Sequence, residues 1–163
     1  MLPYQKQMYR ILSHLLSDES VRIDERYTAE RKPANVALVP VSSNGSLCGA
    51  FNINVEKALN EAIASYLDKG LEKDNIIIYP LGRKIAEAAK RTGCRISGDY
   101  CDLSDRHLYG DVVRFAESLV HSYLSGELDR IEFIYNHGKS TSVQEIRTMT
   151  YLPFSYQETE TPE

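Results

Sequence analysis

The chain has no tryptophan, no excess of basic residues and no long apolar run. With a net charge of −4 over 163 residues, it lacks the positive charge that neutralises a row of phosphates, which argues against a nucleic-acid binder. No apolar stretch approaches the roughly 18 residues of a membrane-spanning helix. Residues 1–16 also lack the continuous apolar core of a signal peptide. The remaining composition, 42% hydrophobic and 26% charged, is typical of one globular domain with a full core.

Cysteine is scarce as well, and an odd, small number of cysteines fits free thiols in a reducing compartment. The three cysteines are Cys48, Cys94 and Cys101. Cys94 and Cys101 could form a redox pair or be two unrelated thiols. No further cysteine or well-placed histidine completes a metal-ligand set, so we expect no metal site and no cofactor.

The hydrophobic periodicity predicts an α/β fold. Residues 36–41 are an unbroken apolar run typical of a strand buried on both faces, and shorter runs follow at 76–79, 95–97 and 131–135. Helical spacing separates these runs, first from about Asn54 to a C-cap at Gly70, then over 82–93 and 108–124. Residues 144–152 alternate like a strand that pairs antiparallel with 131–135. This order predicts a mainly parallel sheet with an antiparallel C-terminal strand and helices on both faces.

Residues 43–52 join the first strand to the first helix, which is where α/β proteins usually place a site. A dinucleotide-binding turn needs the spacing G-x-G-x-x-G, and this turn offers only Gly45 and Gly49. Residues 79–81 also lack the acidic residue expected after the second strand. The turn does not match the motif of a phosphate-binding P-loop either, because no lysine follows Gly49. The turn therefore does not match a nucleotide site.

Cys48 in the same turn has two open interpretations. A strand-to-helix elbow can expose a nucleophilic thiolate, and Ser46 and Ala50 meet the requirement for small flanking residues. His107 or His137 would then be the base, oriented by one of three aspartates, Asp99, Asp102 or Asp105. No pattern selects among them, so a small cysteine-dependent α/β hydrolase using Cys48 and a buried structural thiol both remain possible.

Residues 42–54 also carry a recognisable motif, and its matching residues include Leu47, Cys48, Gly49 and Asn52. It resembles the loop S-[ST]-[DN]-R-G-L-C-G-[GA]-[LFI]-N of the gamma subunit of rotary F-type ATP synthases. Two positions depart, because Gly45 stands where that family has arginine and Ser46 where it has glycine. Residues 129–136, Gln144 and residues 151–154 are similar to a second family pattern, a strand followed by glutamine and a closing Leu-Pro. The resemblance covers residues 34–155.

The resemblance implies a central-stalk, or rotor, component with a Rossmann-like domain that has no catalytic, cofactor-binding or metal-binding residues. Its implied partners are the alpha and beta subunits of the catalytic head, the epsilon subunit and the membrane ring of c subunits. The implied location is peripheral, on the cytoplasmic side of the bacterial inner membrane. The partner-interface loop would face acidic loops of the catalytic subunits and includes Asn44, Gly45, Leu47 and Cys48.

In this family two long terminal helices form a coiled-coil shaft, and this sequence shows neither in full. We therefore expect a truncated globular domain in three parts. Residues 1–33 would be a remnant of the N-terminal helix followed by a polar linker, and residues 34–155 the Rossmann-like domain. Residues 156–163 would be a disordered tail. The glycine at position 45 is expected to weaken the electrostatic contact to the acidic loops.

Overall fold

The computed structural model describes residues 32–41, 49–97, 109–138 and 144–153. Among them no helix combines the length and the apolar character that crossing a membrane requires. A short 3-10 turn, Lys73–Asn75, precedes the second strand. The regular elements follow the expected order: β1 (Val36–Pro40), α1 (Gly49–Asp68), β2 (Ile76–Ile78), α2 (Arg83–Lys90), β3 (Arg95–Ile96), α3 (Tyr109–Leu124), β4 (Arg130–Gly138) and β5 (Gln144–Leu152).

The described strands form one sheet in the order β3-β2-β1-β4-β5, with β1 at its centre. Val36 in β1 pairs with Ile76 of β2 on one side and with Arg130 of β4 on the other, both in parallel. β3 joins β2 in parallel, and β5 pairs antiparallel with β4. The expected sheet, mainly parallel with an antiparallel C-terminal strand, is confirmed.

Two apolar cores lie on opposite faces of this sheet, because successive side chains of a strand point to opposite sides. Val36 and Leu38 of β1 belong to the core shared with α1 and α2. Ala37 and Val39 belong to the core shared with α3. The fold therefore has three layers, with helices on both faces as expected, and the central strand contributes to both cores.

Helix α1 confirms the apolar stripe predicted for it and corrects its start. The helix begins at Gly49, and the first four residues, 49–52, carry no apolar periodicity that would have indicated this. It ends in a Schellman motif at Gly70, whose φ is +100°. The Gly70 amide donates to the Leu67 carbonyl (3.0 Å) and the Leu71 amide to the Tyr66 carbonyl (3.1 Å). The predicted glycine C-cap is therefore confirmed.

The C-terminal hairpin is confirmed, and its first strand is longer than predicted. β4 continues through residues 136–138, which the sequence suggested were part of the connection, because they pair with the start of β5. Gly138 lies opposite Gln144 and Asn136 opposite Ile146. Of the expected helix remnant and polar linker, residues 1–33, all but residues 32 and 33 lie outside the described residues, and so does the expected tail at 156–163.

Candidate functional site

The predicted interface loop falls outside the described residues, and this applies to each of its members, Asn44, Gly45, Leu47 and Cys48. Both ends of the loop can be placed. Before it, Val41 forms a bridge with Leu81, and the Val41 amide donates to the Ile134 carbonyl at 2.9 Å. After it, α1 begins at Gly49. The loop therefore leaves the sheet at the carboxyl end of its central strand.

The helices connected to β1 and β4 lie on opposite faces of the sheet. The connection from β1 leads to α1 on one face, whereas the helix that precedes the neighbouring strand β4 is α3, on the other face. Open α/β sheets commonly place ligand or partner sites outside the carboxyl ends of their strands. The predicted loop starts at this point.

The described part of that edge is closed by apolar side chains. Val41, Leu81 and Ile85 are each at most 3% exposed there. The Leu81 amide donates to the Pro40 carbonyl at 2.9 Å, so the backbone is paired as well. These three side chains pack into the cores, so they leave no apolar pocket between them.

A separate groove of about 620 Å³ runs along one flank of α1, and its floor is the β4–β5 hairpin. Its walls combine small, polar and charged side chains. The lining residues are Asn54, Lys57, Ala58, Glu61, Ala62, Ser65, Tyr66, Lys69, Glu132, Ile146 and Thr148. We call it the α1 groove. It lies on the face of the sheet opposite α3.

Glu132 is a buried charged residue at the base of the α1 groove, only 8% exposed. Its Oε1 accepts a hydrogen bond from Arg130 Nε at 2.9 Å, two residues earlier on the same face of β4. Arg130 Nη2 also donates to the Thr150 hydroxyl of β5 at 3.1 Å. The buried carboxylate is thus paired, which is the condition under which a charge is tolerated in a protein interior.

Tyr66 of α1 completes this network. Its side chain is 3% exposed, and its hydroxyl hydrogen-bonds to Glu132. Burial, and then the negative charge of Glu132 together with this hydrogen bond, raise the pKa of Tyr66 well above its ordinary 10.0, while Arg130 acts in the opposite direction. Tyr66 therefore stays protonated at neutral pH and ties α1 to the sheet as a hydrogen-bond donor.

The network does not have the properties of a catalytic site. A general acid or base needs a pKa near the working pH and access to a substrate. Tyr66 has neither, and the Glu132 carboxylate is already occupied by Arg130. Within the ranges the structure describes, no group of three or more His, Cys, Asp or Glu side chains is placed to hold a metal ion.

Among the residues considered for thiol chemistry, the described ranges include only His137 and Cys94. His137 lies in β4, opposite Glu145 of β5. Cys94 is a buried free thiol packed in the core beneath α1 and α2. The two interpretations of Cys94 and Cys101, a redox pair or two unrelated thiols, are not tested, because residues 98–108 are outside the described part of the chain.

The Tyr66–Glu132 network was missed by the sequence analysis, although one signal was present. Glu132 interrupts an otherwise apolar run between Ile131 and Phe133. A charged residue within a strand whose pattern predicts burial on both faces is either exposed at the surface or buried together with a partner that pairs with its charge. Its partner Tyr66 is distant in sequence, so the pairing could not be deduced from spacing.

The hydrogen bonds of Asp129 explain why the second motif, residues 129–136, begins with an aspartate. Its Oδ2 accepts hydrogen bonds from the backbone amides of Ala34 (3.1 Å) and Asn35 (3.0 Å). Its own amide donates to the Asn35 carbonyl at 2.8 Å. Asp129 thereby fixes the chain where it enters β1 against the start of β4. Its role in the structure is to align the two central strands.

Comparison with known proteins identifies the family. A family model described as ATP synthase matches residues 1–163. The ATP synthase gamma chain of Bacteroides fragilis is 42% identical over 153 residues, which cover 94% of this chain and 52% of that protein. The chain belongs to the ATP synthase gamma-chain family.

Other gamma chains and solved structures agree with this assignment. The ATP synthase gamma chain of Parabacteroides distasonis is 34% identical over 162 residues, 99% of this chain and 55% of that protein. A chain in the central stalk and c-ring structure of the Tetrahymena thermophila mitochondrial ATP synthase superposes with a TM-score of 0.60. It is 17% identical, with coverage of 91% of this chain and 66% of that one, and supports the fold alone.

This gamma-family chain spans about half the length of the curated relatives it matches. The suspected resemblance from residues 34–155 is therefore confirmed at the level of the family. None of these relatives supports the cysteine-dependent hydrolase, because the relatives that match across the Cys48 turn are gamma chains.

Proposed function

We propose that this chain is a central-stalk component of a rotary F-type ATP synthase and transmits rotation between the membrane ring and the catalytic head. It carries no ATP-forming site itself. The observation that carries the proposal is the family match over residues 1–163, together with gamma-chain relatives that align with 94% or more of the chain. The domain would act as a rigid body rather than as a catalyst.

The geometry supports a mechanical role. A part that transmits torque must resist deformation, and close-packed interiors have low compressibility. Here two cores share one sheet, and the central strand β1 is buried throughout. The Tyr66–Glu132–Arg130 network and the Asp129 anchor add cross-links between elements that are distant in sequence. These contacts restrain α1 and β4 from moving relative to each other.

The partner surface in this proposal is the loop after β1. Asn44, Gly45, Leu47 and Cys48 would contact the alpha and beta subunits of the head, and other surfaces the epsilon subunit and the ring of c subunits. The chain would then lie at the cytoplasmic side of the bacterial inner membrane as part of the complex. Residues 1–33 would be the end of a stalk helix followed by a polar linker. Residues 34–155 would be the Rossmann-like globular domain, and residues 156–163 a disordered tail.

The proposal is tested by isolating the native assembly. An antibody raised against this chain is used to precipitate its target from detergent-solubilised membranes of the source cells, with pre-immune serum as the control. We expect the precipitate to hydrolyse ATP and to contain the catalytic-head subunits by mass spectrometry. Recovery from the soluble fraction alone, without ATPase activity or partner subunits, would contradict the proposal.

Position 45 gives a sharper test of the interface loop. If the loop faces acidic groups, Gly45→Arg restores the charge that the family carries and should strengthen assembly with the head. The gain should shrink as salt is raised, because exposed charge pairs are screened. Ser46→Gly, which restores the other family residue without charge, is the matched control. An equal effect of both variants, or no salt dependence, would argue against an electrostatic contact at this loop.

A further inference from the structure

We propose that a basic surface on α2 and the start of β3 is a docking site for an acidic polypeptide segment of another protein. We call this surface the α2 basic face, and its residues are Arg83, Lys84, Lys90, Arg91 and Arg95, all of them exposed. The whole chain has a net charge of −4, so this concentration of positive charge opposes the overall balance. The interaction does not depend on the proposed function.

Helix α2 separates its apolar side chains from its charged ones. Ile85, Ala88 and Ala89 are buried in the core that α2 shares with α1, which leaves the basic residues on the outer face. Residues 83–95 contain five basic side chains and one acidic side chain, Glu87. By contrast, α1 has one basic and three acidic residues, and α3 has one lysine or arginine and two acidic residues. Of these three helices, only α2 has an excess of positive charge.

The stability of α2 accounts for only one end of this surface. Lys90 and Arg91 lie at the C-terminal end of the helix, where the helix dipole favours cations, and Arg91 also pairs with Glu56 at 3.0 Å. Arg83 and Lys84 lie in the first turn, where the dipole disfavours cations, and that turn contains no acidic residue. A carboxylate that binds from outside would reverse this unfavourable interaction.

Three cations of the α2 basic face are available to such a partner. Lys84, Lys90 and Arg95 make no ion pair with any residue in the part of the chain that the structure describes. Their charges are therefore balanced only by solvent and salt. Carboxylates of a second protein would match them without breaking an ion pair within the domain.

The chemistry of this surface favours an acidic polypeptide over a membrane or a nucleic acid. Helices that bind membrane surfaces combine basic residues with exposed apolar side chains that insert into the lipid, whereas Ile85 of α2 is buried. A nucleic acid would be repelled by the net charge of −4. Lys84 and Arg91 are about 10 Å apart along the helix axis, with Glu87 between them. Two carboxylates at that separation, with a neutral residue between them, would match the surface.

Binding of a fluorescent oligoglutamate peptide to the full chain, followed by anisotropy at low ionic strength, tests the proposal. Lys84→Gln combined with Lys90→Gln should weaken binding by about fivefold, because each exposed ion pair contributes a modest free energy. Lys57→Gln combined with Lys69→Gln on the exposed surface of α1 changes the net charge equally and is the matched control. An equal loss in both double variants would overturn the proposal, and so would the absence of binding to the wild type.

A second measurement uses only the wild-type chain and so does not depend on how the variants fold. A carbodiimide joins the peptide's carboxylates to nearby lysine amines, and mass spectrometry locates the amide bonds. We expect the crosslinks mainly at Lys84 and Lys90, and crosslinks mainly at Lys57 and Lys69 would contradict the assignment. Vesicles of phosphatidylcholine and phosphatidylserine test the membrane alternative. Vesicle binding that persists in excess oligoglutamate but is lost in the Lys84→Gln, Lys90→Gln variant would assign the surface to a membrane instead.

Discussion

At the residue scale, Asp129 has the clearest single role, because one carboxylate oxygen holds the two amides that lead into β1. We expect Asp129→Ala to lower the free energy of unfolding by about 1–3 kcal/mol, since it leaves donors beside the central strand without their charged acceptor. Asp129→Asn keeps an acceptor oxygen and should lose less. Urea unfolding measures both, with the exposed neighbour Glu127→Ala as the control. A loss equal to that of Glu127→Ala would contradict the anchoring role.

Tyr66 gives a residue-scale prediction about pH. Its pKa is raised above the 10.0 of the unfolded chain, so the stabilisation it provides is complete below pH 10.0 and is lost as the pH rises beyond it. Tyr66→Phe should cost about 0.5–1.5 kcal/mol of unfolding free energy at neutral pH. The difference between wild type and Tyr66→Phe should then shrink above pH 10.0. Urea unfolding across this pH range measures it, and a pH-independent difference would contradict the raised pKa of the buried Tyr66 hydroxyl.

At the element scale, the end of α1 depends on Gly70. Its φ of +100° is a conformation that residues with a Cβ rarely adopt, although an added Cβ would meet no atom within 4 Å. Gly70→Ala should therefore cost about 1–2 kcal/mol through backbone strain alone. Gly70→Asn should cost less, because asparagine tolerates this region best among residues with a side chain. Thermal unfolding compares the two variants. An equal loss would point to a steric contact instead of strain.

The elements also show what the sequence could and could not predict. β1, the stripe of α1 and the cap at Gly70 depend on local periodicity and on one glycine, and all three were predictable. The extension of β4 to Gly138 was not, because pairing with β5 decides it. The same holds for the network at Glu132, whose partner lies in another element. The interface loop remains a prediction from a motif.

At the scale of the whole molecule, the sheet couples the two cores. Leu59 of α1 and Leu119 of α3 are both buried, at 0% and 1% exposure, in cores that lie on opposite faces of the sheet. Replacing either by alanine should cost about 2–5 kcal/mol. Because both cores contain side chains of β1, a cavity on one face should weaken the other, and each variant should unfold in one transition.

Far-UV circular dichroism and tyrosine fluorescence, followed through the same urea titration, test this coupling. The two signals should coincide for Leu59→Ala and for Leu119→Ala, and the slope against urea should match that of the wild type. Exposed neighbours on the same helices, Glu61→Ala and Glu117→Ala, provide matched controls. Separate unfolding transitions for the two faces would mean that the two helix layers unfold independently. A domain of that kind would twist under load, so a single transition is what a part that transmits rotation requires.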